Sequence, residues 1–151
     1  MNNGRRSILK SASALGILTA LGLVSESAAL AAVEQPGFDE KNFADAIKAI
    51  GGLGVDSADI KLVAPEIAEN GAVVPLTVTS AIPNTQAIYI FVEKNPAPLS
   101  AMFTIPAGTE PSVVTRVKMG ESSRMYALVK ADGKFYSTSR ETKVTLGGCG
   151  G

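Results

Sequence analysis

The sequence predicts an all-β domain preceded by one short helix, and three observations lead to this fold class. From Ile60 onward, apolar and polar residues alternate with the two-residue period of a strand that is buried on one face. Clusters of proline, glycine, asparagine and aspartate separate seven or eight such segments at near-regular spacing. Helical spacing occurs once within residues 32–146, before the first strand. This pattern is typical of an immunoglobulin-like antiparallel β-sandwich with a short N-terminal helix and, after the last strand, a flexible C-terminal arm.

Residues 1–31 are predicted to be a cleaved export signal rather than part of the fold. A basic region that contains the pair Arg5-Arg6 precedes an apolar run and then a stretch of serine, alanine and leucine. The paired arginines match the twin-arginine type of signal. The apolar run is shorter than the ~20 residues of a membrane-spanning helix. We therefore expect cleavage after Ala31, or alternatively after Ala29, and a periplasmic protein.

Composition restricts the mature part, which has about 120 residues and one predicted domain, residues 32–146. It keeps 11 basic and 13 acidic residues, so its net charge is −2. Such a balance gives no reason to expect binding to nucleic acid or to a membrane. The chain has no histidine and a single cysteine. Zinc, haem, iron–sulfur and nucleotide sites are hard to build from these residues, so no metal and no cofactor is predicted.

The helix is predicted over residues 39–50. Asp39 can cap its N-terminus, and Gly51 and Gly52 can end it. The apolar residues at helical spacing on one face are Phe43, Ile47 and Ile50.

Two strands have informative compositions. In residues 74–78 valine and leucine alternate with other residues, and Pro75 predicts an edge position because proline cannot donate to a ladder. Residues 87–92 are apolar on both faces. This strand is therefore either buried on both sides or has the face with Tyr89 and Phe91 against a partner protein.

Five further strands are separated by turn signals. Asp132 and Gly133 predict a tight hairpin, and a turn near Arg140 divides the last two strands. The five predicted strands are residues 99–105, 112–119, 123–131, 134–139 and 141–146.

The most informative segment is the predicted arm, residues 147–151, with the sequence Gly-Gly-Cys-Gly-Gly. Cys149 is the only cysteine, so it cannot form a disulfide within the chain. Glycine restricts neither the backbone nor access to the sulfur, and an exposed thiolate is a nucleophile. Chemical use of the sulfur, or a Cys149–Cys149 link between two chains, is what remains in an oxidising compartment. About five residues beyond the last strand give the arm a reach of roughly 15 Å.

Several segments together resemble the SoxY family, the sulfur-carrier subunits of the bacterial thiosulfate-oxidising Sox system. They are the export signal, the terminal motif of residues 147–151, and three internal segments at residues 65–75, 94–98 and 115–119. The resemblance covers essentially the whole mature chain. Its terminal motif is highly specific, whereas the internal segments are mostly structural.

The resemblance implies a carrier without turnover of its own, which holds thiosulfate-derived sulfur on Cys149. It implies a complex, heterodimeric or larger, with a SoxZ-like subunit of similar fold. A c-type cytochrome complex would attach thiosulfate oxidatively, a hydrolase would release sulfate, and a sulfane dehydrogenase would act where the host has one. The carrier arm implied by the family motif consists of Gly147, Gly148, Gly150 and Gly151 around the attachment cysteine.

Other interpretations compete with a carrier. A stand-alone exported thiol enzyme, such as a sulfurtransferase or peroxidase, needs a preformed pocket that lowers the thiol pKa, which a glycine arm does not supply. A ubiquitin-like sulfur donor needs ATP-dependent activation, against which the export signal argues. A purely structural sandwich would leave the thiol unused.

Some side chains outside the arm have both a functional and a structural interpretation. Basic residues could attract a bound sulfonate or could form a solvated strand face. Two glutamates could serve acid–base chemistry or surface solvation, and three methionines could bind copper or fill the core. These residues are, in the same order, Arg116, Lys118 and Arg124; Glu66 and Glu69; and Met102, Met119 and Met125.

Overall fold

The computed structural model describes residues 36–145. The predicted signal peptide, residues 1–31, and the predicted arm, residues 147–151, lie outside the described residues. The predicted helix and the predicted strands lie within them, apart from Leu146 at the end of the last predicted strand; residues 32–35 of the predicted domain also lie outside.

Helix α1 (Phe43–Ile50) is shorter than predicted, because Asn42 and not Asp39 caps it. The side-chain oxygen of Asn42 accepts a hydrogen bond from the Asp45 amide at 2.9 Å. At the other end Gly51 has a φ of 111°, which a residue with a Cβ rarely adopts. The predicted glycine stop is therefore confirmed, and the predicted cap at Asp39 is wrong.

Nine strands follow within the described part of the chain. They are β1 (Val55–Asp56), β2 (Ile60–Val63), β3 (Ile67–Ala68), β4 (Val74–Ser80), β5 (Thr85–Val92), β6 (Leu99–Thr104), β7 (Ser112–Val117), β8 (Ser123–Ala131) and β9 (Lys134–Val144).

The strands form two sheets that pack face to face, which confirms the predicted all-β sandwich. The larger sheet has the order β1-β9-β8-β5-β6, and β3 also pairs with β9. The smaller sheet has the order β2-β4-β7. Buried residues from both sheets form one core between them. They include Leu62, Leu76, Val78 and Val113 of the smaller sheet and Ile88, Ile90, Ala127 and Val129 of the larger.

A second core lies on the outer face of the larger sheet, where α1 covers it. Ile47 of α1 shares this core with Tyr89 and Phe91, which are 8% and 0% exposed. The ring of Phe43 lies 5.9 Å from that of Phe91 and perpendicular to it. The alternative that this face of β5 meets a partner is therefore wrong, because the chain's own helix buries it. Burial of β5 on both faces is confirmed.

Pro75 does not lie on an edge strand, since β4 is the central strand of the smaller sheet. Its pairing with β2 ends at Thr77, which lies opposite Val63. Pro75 is two residues further along and pairs only with Arg116 of β7. The physical requirement behind the prediction still holds, because the proline has a neighbouring strand on one side only.

The predicted turn near Arg140 is absent, because residues 134–144 form one continuous strand. Strand β8 pairs with β9 without a break from Ala131 opposite Lys134 to Ser123 opposite Thr142. The predicted hairpin at residues 132–133 is confirmed, since both residues have a positive φ, 49° and 72°.

Candidate functional site

The candidate site is the end of β9, where the chain leaves the sandwich towards Cys149. Cys149 and the four glycines of the predicted arm lie outside the described residues. Thr145, four residues before the cysteine, is the last residue described. The structure therefore shows how the base of the arm is held.

On one side the base is held by the short strand β3. Ile67 lies opposite Lys143 and Ala68 opposite Val144, in a parallel pairing. The Lys143 amide donates to the Glu66 carbonyl at 2.9 Å, and the Thr145 amide donates to the Ala68 carbonyl at 3.1 Å. The backbone is thus paired as far as Thr145.

On the other side, beyond the last β8–β9 pair at Ser123 and Thr142, a serine hydroxyl bonds to the backbone of β9. The Val144 amide donates to Ser122 Oγ at 2.9 Å, and the same hydroxyl lies 3.5 Å from the Val144 carbonyl oxygen. The fully buried Thr142 donates from Oγ1 to the Pro65 carbonyl at 2.8 Å. These bonds tie the last residues of β9 to segments that are distant in the sequence.

A close approach at Gly71 completes this support. The Met119 amide donates to the Gly71 carbonyl at 2.7 Å. A Cβ at position 71 would lie 2.5 Å from the Met119 carbonyl oxygen and 2.9 Å from Cγ1 of Val144. Such distances are too short for non-bonded contacts, so the base of the arm requires glycine here.

Since the backbone is fixed through Thr145, the reach of the sulfur can be estimated from the chain alone. Cys149 is the fourth residue after Thr145, so four residue steps join the two. At full extension they span about 13 Å, which sets a radius around the end of β9.

Two ion pairs involve charged side chains near the base. Arg140 Nη2 lies 3.6 Å from Glu66 Oε1, and Lys94 Nζ lies 3.5 Å from Glu121 Oε2. A hollow of about 400 Å³ lies between β3 and β9, lined by Glu66, Ile67, Arg140, Glu141 and Lys143. Pairs of this kind contribute little to stability because water screens them.

The described residues offer no obvious catalytic machinery around this base. Within residues 36–145, no group of three or more histidine, cysteine, aspartate or glutamate side chains could hold a metal ion. The only helix in that range has eight residues and cannot cross a bilayer. What the arrangement provides is a rigid attachment for the following segment.

The three basic residues weighed as a sulfonate site do not form one cluster. Arg116 and Lys118 belong to the smaller sheet and the residues after it, whereas Arg124 lies on the larger sheet opposite Glu141. All three are exposed. The structure therefore favours solvated strand faces over a shared anion site.

The other weighed side chains also have structural positions. Glu66 and Glu69 are exposed, and Glu66 pairs with Arg140. Met119 and Met125 are buried in the core between the sheets, and Met102 is 38% exposed at the edge strand β6. A shared copper site of the three methionines is not formed.

Sequence reasoning missed the residues that hold the base. Ser122, Thr142 and Gly71 have no distinctive spacing, and their roles depend on contacts between distant segments. The sequence offered one indication of these roles. Residues 65–75, one of the internal segments of the family resemblance, contain β3 and Gly71.

Two comparisons relate this geometry to known proteins. The family model described as "Sulfur oxidation protein SoxY" matches residues 47–149, a span that ends at the cysteine. The solved structure of the sulfur carrier protein SoxY from Chlorobium limicola f. thiosulfatophilum is 42% identical in sequence. The match covers 68% of this chain and 96% of that one, with a TM-score of 0.62.

A superoxide reductase (neelaredoxin) from Ignicoccus hospitalis is a more distant structural relative. It is 22% identical, the match covers 58% of this chain and 83% of that one, and the TM-score is 0.50. At this identity the likeness concerns the fold alone. No curated protein sequence matches the chain.

Proposed function

Because the chain belongs to the SoxY family and has a role as a sulfur carrier in sulfur oxidation, we propose that it holds its cargo covalently on Cys149. The observation that carries this proposal is the family match over residues 47–149, which reaches the only cysteine of the sequence. The support of β9 through Thr145 agrees with it. A fixed base followed by four residues limits the sulfur to a small region beside one end of the sandwich.

The proposed loading step joins the Cys149 thiolate to the outer sulfur of thiosulfate. A sulfur–sulfur bond forms, and two electrons leave to a c-type cytochrome complex of the Sox system. The product is a cysteine S-thiosulfonate. A thiolate is the required form of the cysteine, and a free thiol with a pKa of ~8.5 is a few per cent ionised at neutral pH.

The second proposed step is hydrolysis. Water attacks the terminal sulfonate, sulfate leaves, and a persulfide with one extra sulfur remains on Cys149. A sulfane dehydrogenase, where the host has one, oxidises that sulfur further. In this scheme the chain has no turnover of its own, because each bond is made or broken by an enzyme that receives the arm.

The proposal also includes a cellular compartment and a binding partner. Residues 1–31 direct export by the twin-arginine route, so the carrier works in the periplasm. A SoxZ-like subunit forms a complex with it, as the family resemblance implies.

A thiol-labelling experiment tests the covalent attachment. The mature protein is treated with a maleimide before and after incubation with thiosulfate and the cytochrome complex. We expect labelling of Cys149 to disappear after loading and to return after reduction. A thiol that stays fully reactive, although the cytochrome is reduced, would contradict the proposal.

A further inference from the structure

The turn between β3 and β4 contains a reactive pair of residues that the proposed function does not use. In this turn the Val73 amide donates to the Asn70 carbonyl at 3.3 Å, and the Ala72 amide donates to Asn70 Oδ1 at 2.9 Å. Asn70 is exposed, and the next residue is Gly71. An asparagine followed by glycine is the pair in which a side-chain amide reacts most readily with the backbone, because glycine has no Cβ to obstruct the approach. The pair is therefore a candidate site of chemical modification.

The reaction of such a pair is a ring closure followed by hydrolysis. The backbone nitrogen of Gly71 attacks the side-chain carbonyl carbon of Asn70, Cγ. A carbon–nitrogen bond forms there, the bond from Cγ to Nδ2 breaks, and ammonia leaves with the proton of the Gly71 amide. Water then opens the succinimide ring at one of its two carbonyl groups, which gives either aspartate or isoaspartate. In isoaspartate the main chain runs through the former side chain. Water is the only co-reactant, and no electrons are transferred.

Two features of the turn favour this ring closure. Negative charge develops on Oδ1 of Asn70 during the attack, and the Ala72 amide already donates to that oxygen. A donor that is held in place at a developing oxyanion lowers the barrier. Within residues 36–145, no acceptor holds the proton of the Gly71 amide, which the attacking nitrogen must lose. Asn84 is also exposed, but it precedes the β-branched Thr85, whose side chain obstructs the same attack.

We propose that Asn70 is a site of spontaneous modification at the base of the arm, and that its isoaspartate product loosens β3 from the end of β9. Isoaspartate lengthens the main chain by one carbon atom next to Gly71. A Cβ on Gly71 would already lie 2.5 Å from the Met119 carbonyl oxygen and 2.9 Å from Cγ1 of Val144, so the chain has no room to shift there. The element that gives way is β3, which has two residues and pairs with β9. The inference is independent of the sulfur chemistry proposed for Cys149.

Mass spectrometry of the mature full chain follows the modification. The protein is incubated for days at mildly alkaline pH, and cleavage after Lys61 and Lys94 then releases residues 62–94, which contain both Asn70 and Asn84. We expect Asn70 to gain the mass difference between an amide and a carboxylic acid at least about 10-fold faster than Asn84. The product should accept a methyl group from an isoaspartyl methyltransferase, which does not methylate ordinary aspartate. At mildly acidic pH the conversion should be slower, since the attacking nitrogen must lose its proton.

Hydrogen exchange measures the loosening of β3. The amides of Lys143 and Thr145 donate to the carbonyls of Glu66 and Ala68. Both amides should exchange at least about 10-fold faster in the isoaspartate form, because local opening of this pairing exposes them to water. The matched control is freshly prepared Asn70→Asp, which has the same added charge and an ordinary main chain. Its two amides should exchange as slowly as those of the unmodified chain.

Asn70→Gln is the control for the ring closure, because its longer side chain would have to close a six-membered ring. It should stay unmodified through the same incubation, and its amide exchange should not change. Conversion of Asn70 no faster than that of Asn84 would overturn the inference, and so would a product that contains aspartate without isoaspartate. Unchanged exchange of the Lys143 and Thr145 amides in the isoaspartate form would also overturn it. Equally fast exchange in fresh Asn70→Asp would do the same, since the charge and not the longer main chain would then be the cause.

Discussion

At the scale of single residues, the base of the arm depends on small and hydroxyl-bearing side chains. Ser122 satisfies the Val144 amide, and the buried Thr142 donates to the Pro65 carbonyl. Gly71 allows two backbone segments to approach beside Val144. None of these residues would take part in sulfur chemistry. Under the proposed function, their effect would be to fix the point from which Cys149 reaches the enzymes.

Gly71→Ala should destabilise the domain by about 1–3 kcal/mol, because the new methyl group would meet a backbone oxygen that cannot move freely. The measurement is the free energy of unfolding in urea. Gly120→Ala is the matched control, since a Cβ there has no neighbour within 4 Å. That variant should change the free energy by less than about 0.5 kcal/mol. Equal effects of the two substitutions would refute the close approach at Gly71.

Tyr89 gives the domain a predicted sensitivity to alkali. Burial raises the pKa of Tyr89 above its ordinary value of 10.0. Because the folded pKa is the higher one, this contribution to stability is complete below about pH 10 and is lost as the pH rises through the folded pKa.

The free energy of unfolding should therefore fall above about pH 10 in the wild type and fall less in Tyr89→Phe. Urea titrations on both sides of that pH measure it. An alkaline loss of the same size in Tyr89→Phe would show that another group causes it.

At the scale of elements, local patterns predicted more than tertiary arrangements did. The alternation of apolar residues located β4 to β9, and the Asp132-Gly133 turn located the β8–β9 hairpin. The division of β9 at Arg140 was wrong because pairing with β8 imposes a continuous strand there. Whether Pro75 has a neighbouring strand on one side or on both depends on where β2 ends. The sequence of β4 does not contain that information.

Helix α1 shows that the composition of a strand does not reveal what covers its apolar face. An apolar strand face can be covered by a partner or by an element of the same chain, and the composition of β5 does not distinguish them. The helical pattern was recognised, but its docking on Tyr89 and Phe91 was not. The outer face of the smaller sheet, by contrast, is uncovered within the described residues. The strand register shows which residues lie on it.

Phe91→Ala should cost about 3–5 kcal/mol of unfolding free energy, because it removes a fully buried ring beneath α1. Val114→Ala, at a position that is 79% exposed, should cost less than about 0.5 kcal/mol. Thermal or urea unfolding of the isolated mature chain measures both. A stable Phe91→Ala variant that fails only in partner binding would restore the interface interpretation of this face.

At the scale of the whole molecule, the sandwich acts as a platform with distinct surfaces. One outer face is covered by α1, the outer face of the smaller sheet exposes Val63 and Val114, and the end of β9 is held by β3. The fold class, the family and the candidate cysteine could be predicted from the sequence, because they depend on period and on one specific motif. The supports of the arm could not, because hydrogen bonds such as that from Thr142 to Pro65 join residues far apart in the chain.

The central claim is that Cys149 is the residue that carries sulfur, and the mass of one peptide tests it most directly. Cleavage after Lys143 releases residues 144–151, which contain the only cysteine. After incubation with thiosulfate and the cytochrome complex, we expect this peptide to gain the mass of one thiosulfate-derived group. Reduction should remove the added mass, and Cys149→Ser, with an unchanged unfolding temperature, should show none. An unmodified wild-type peptide from a reaction that reduced the cytochrome, or the same added mass in Cys149→Ser, would contradict the account.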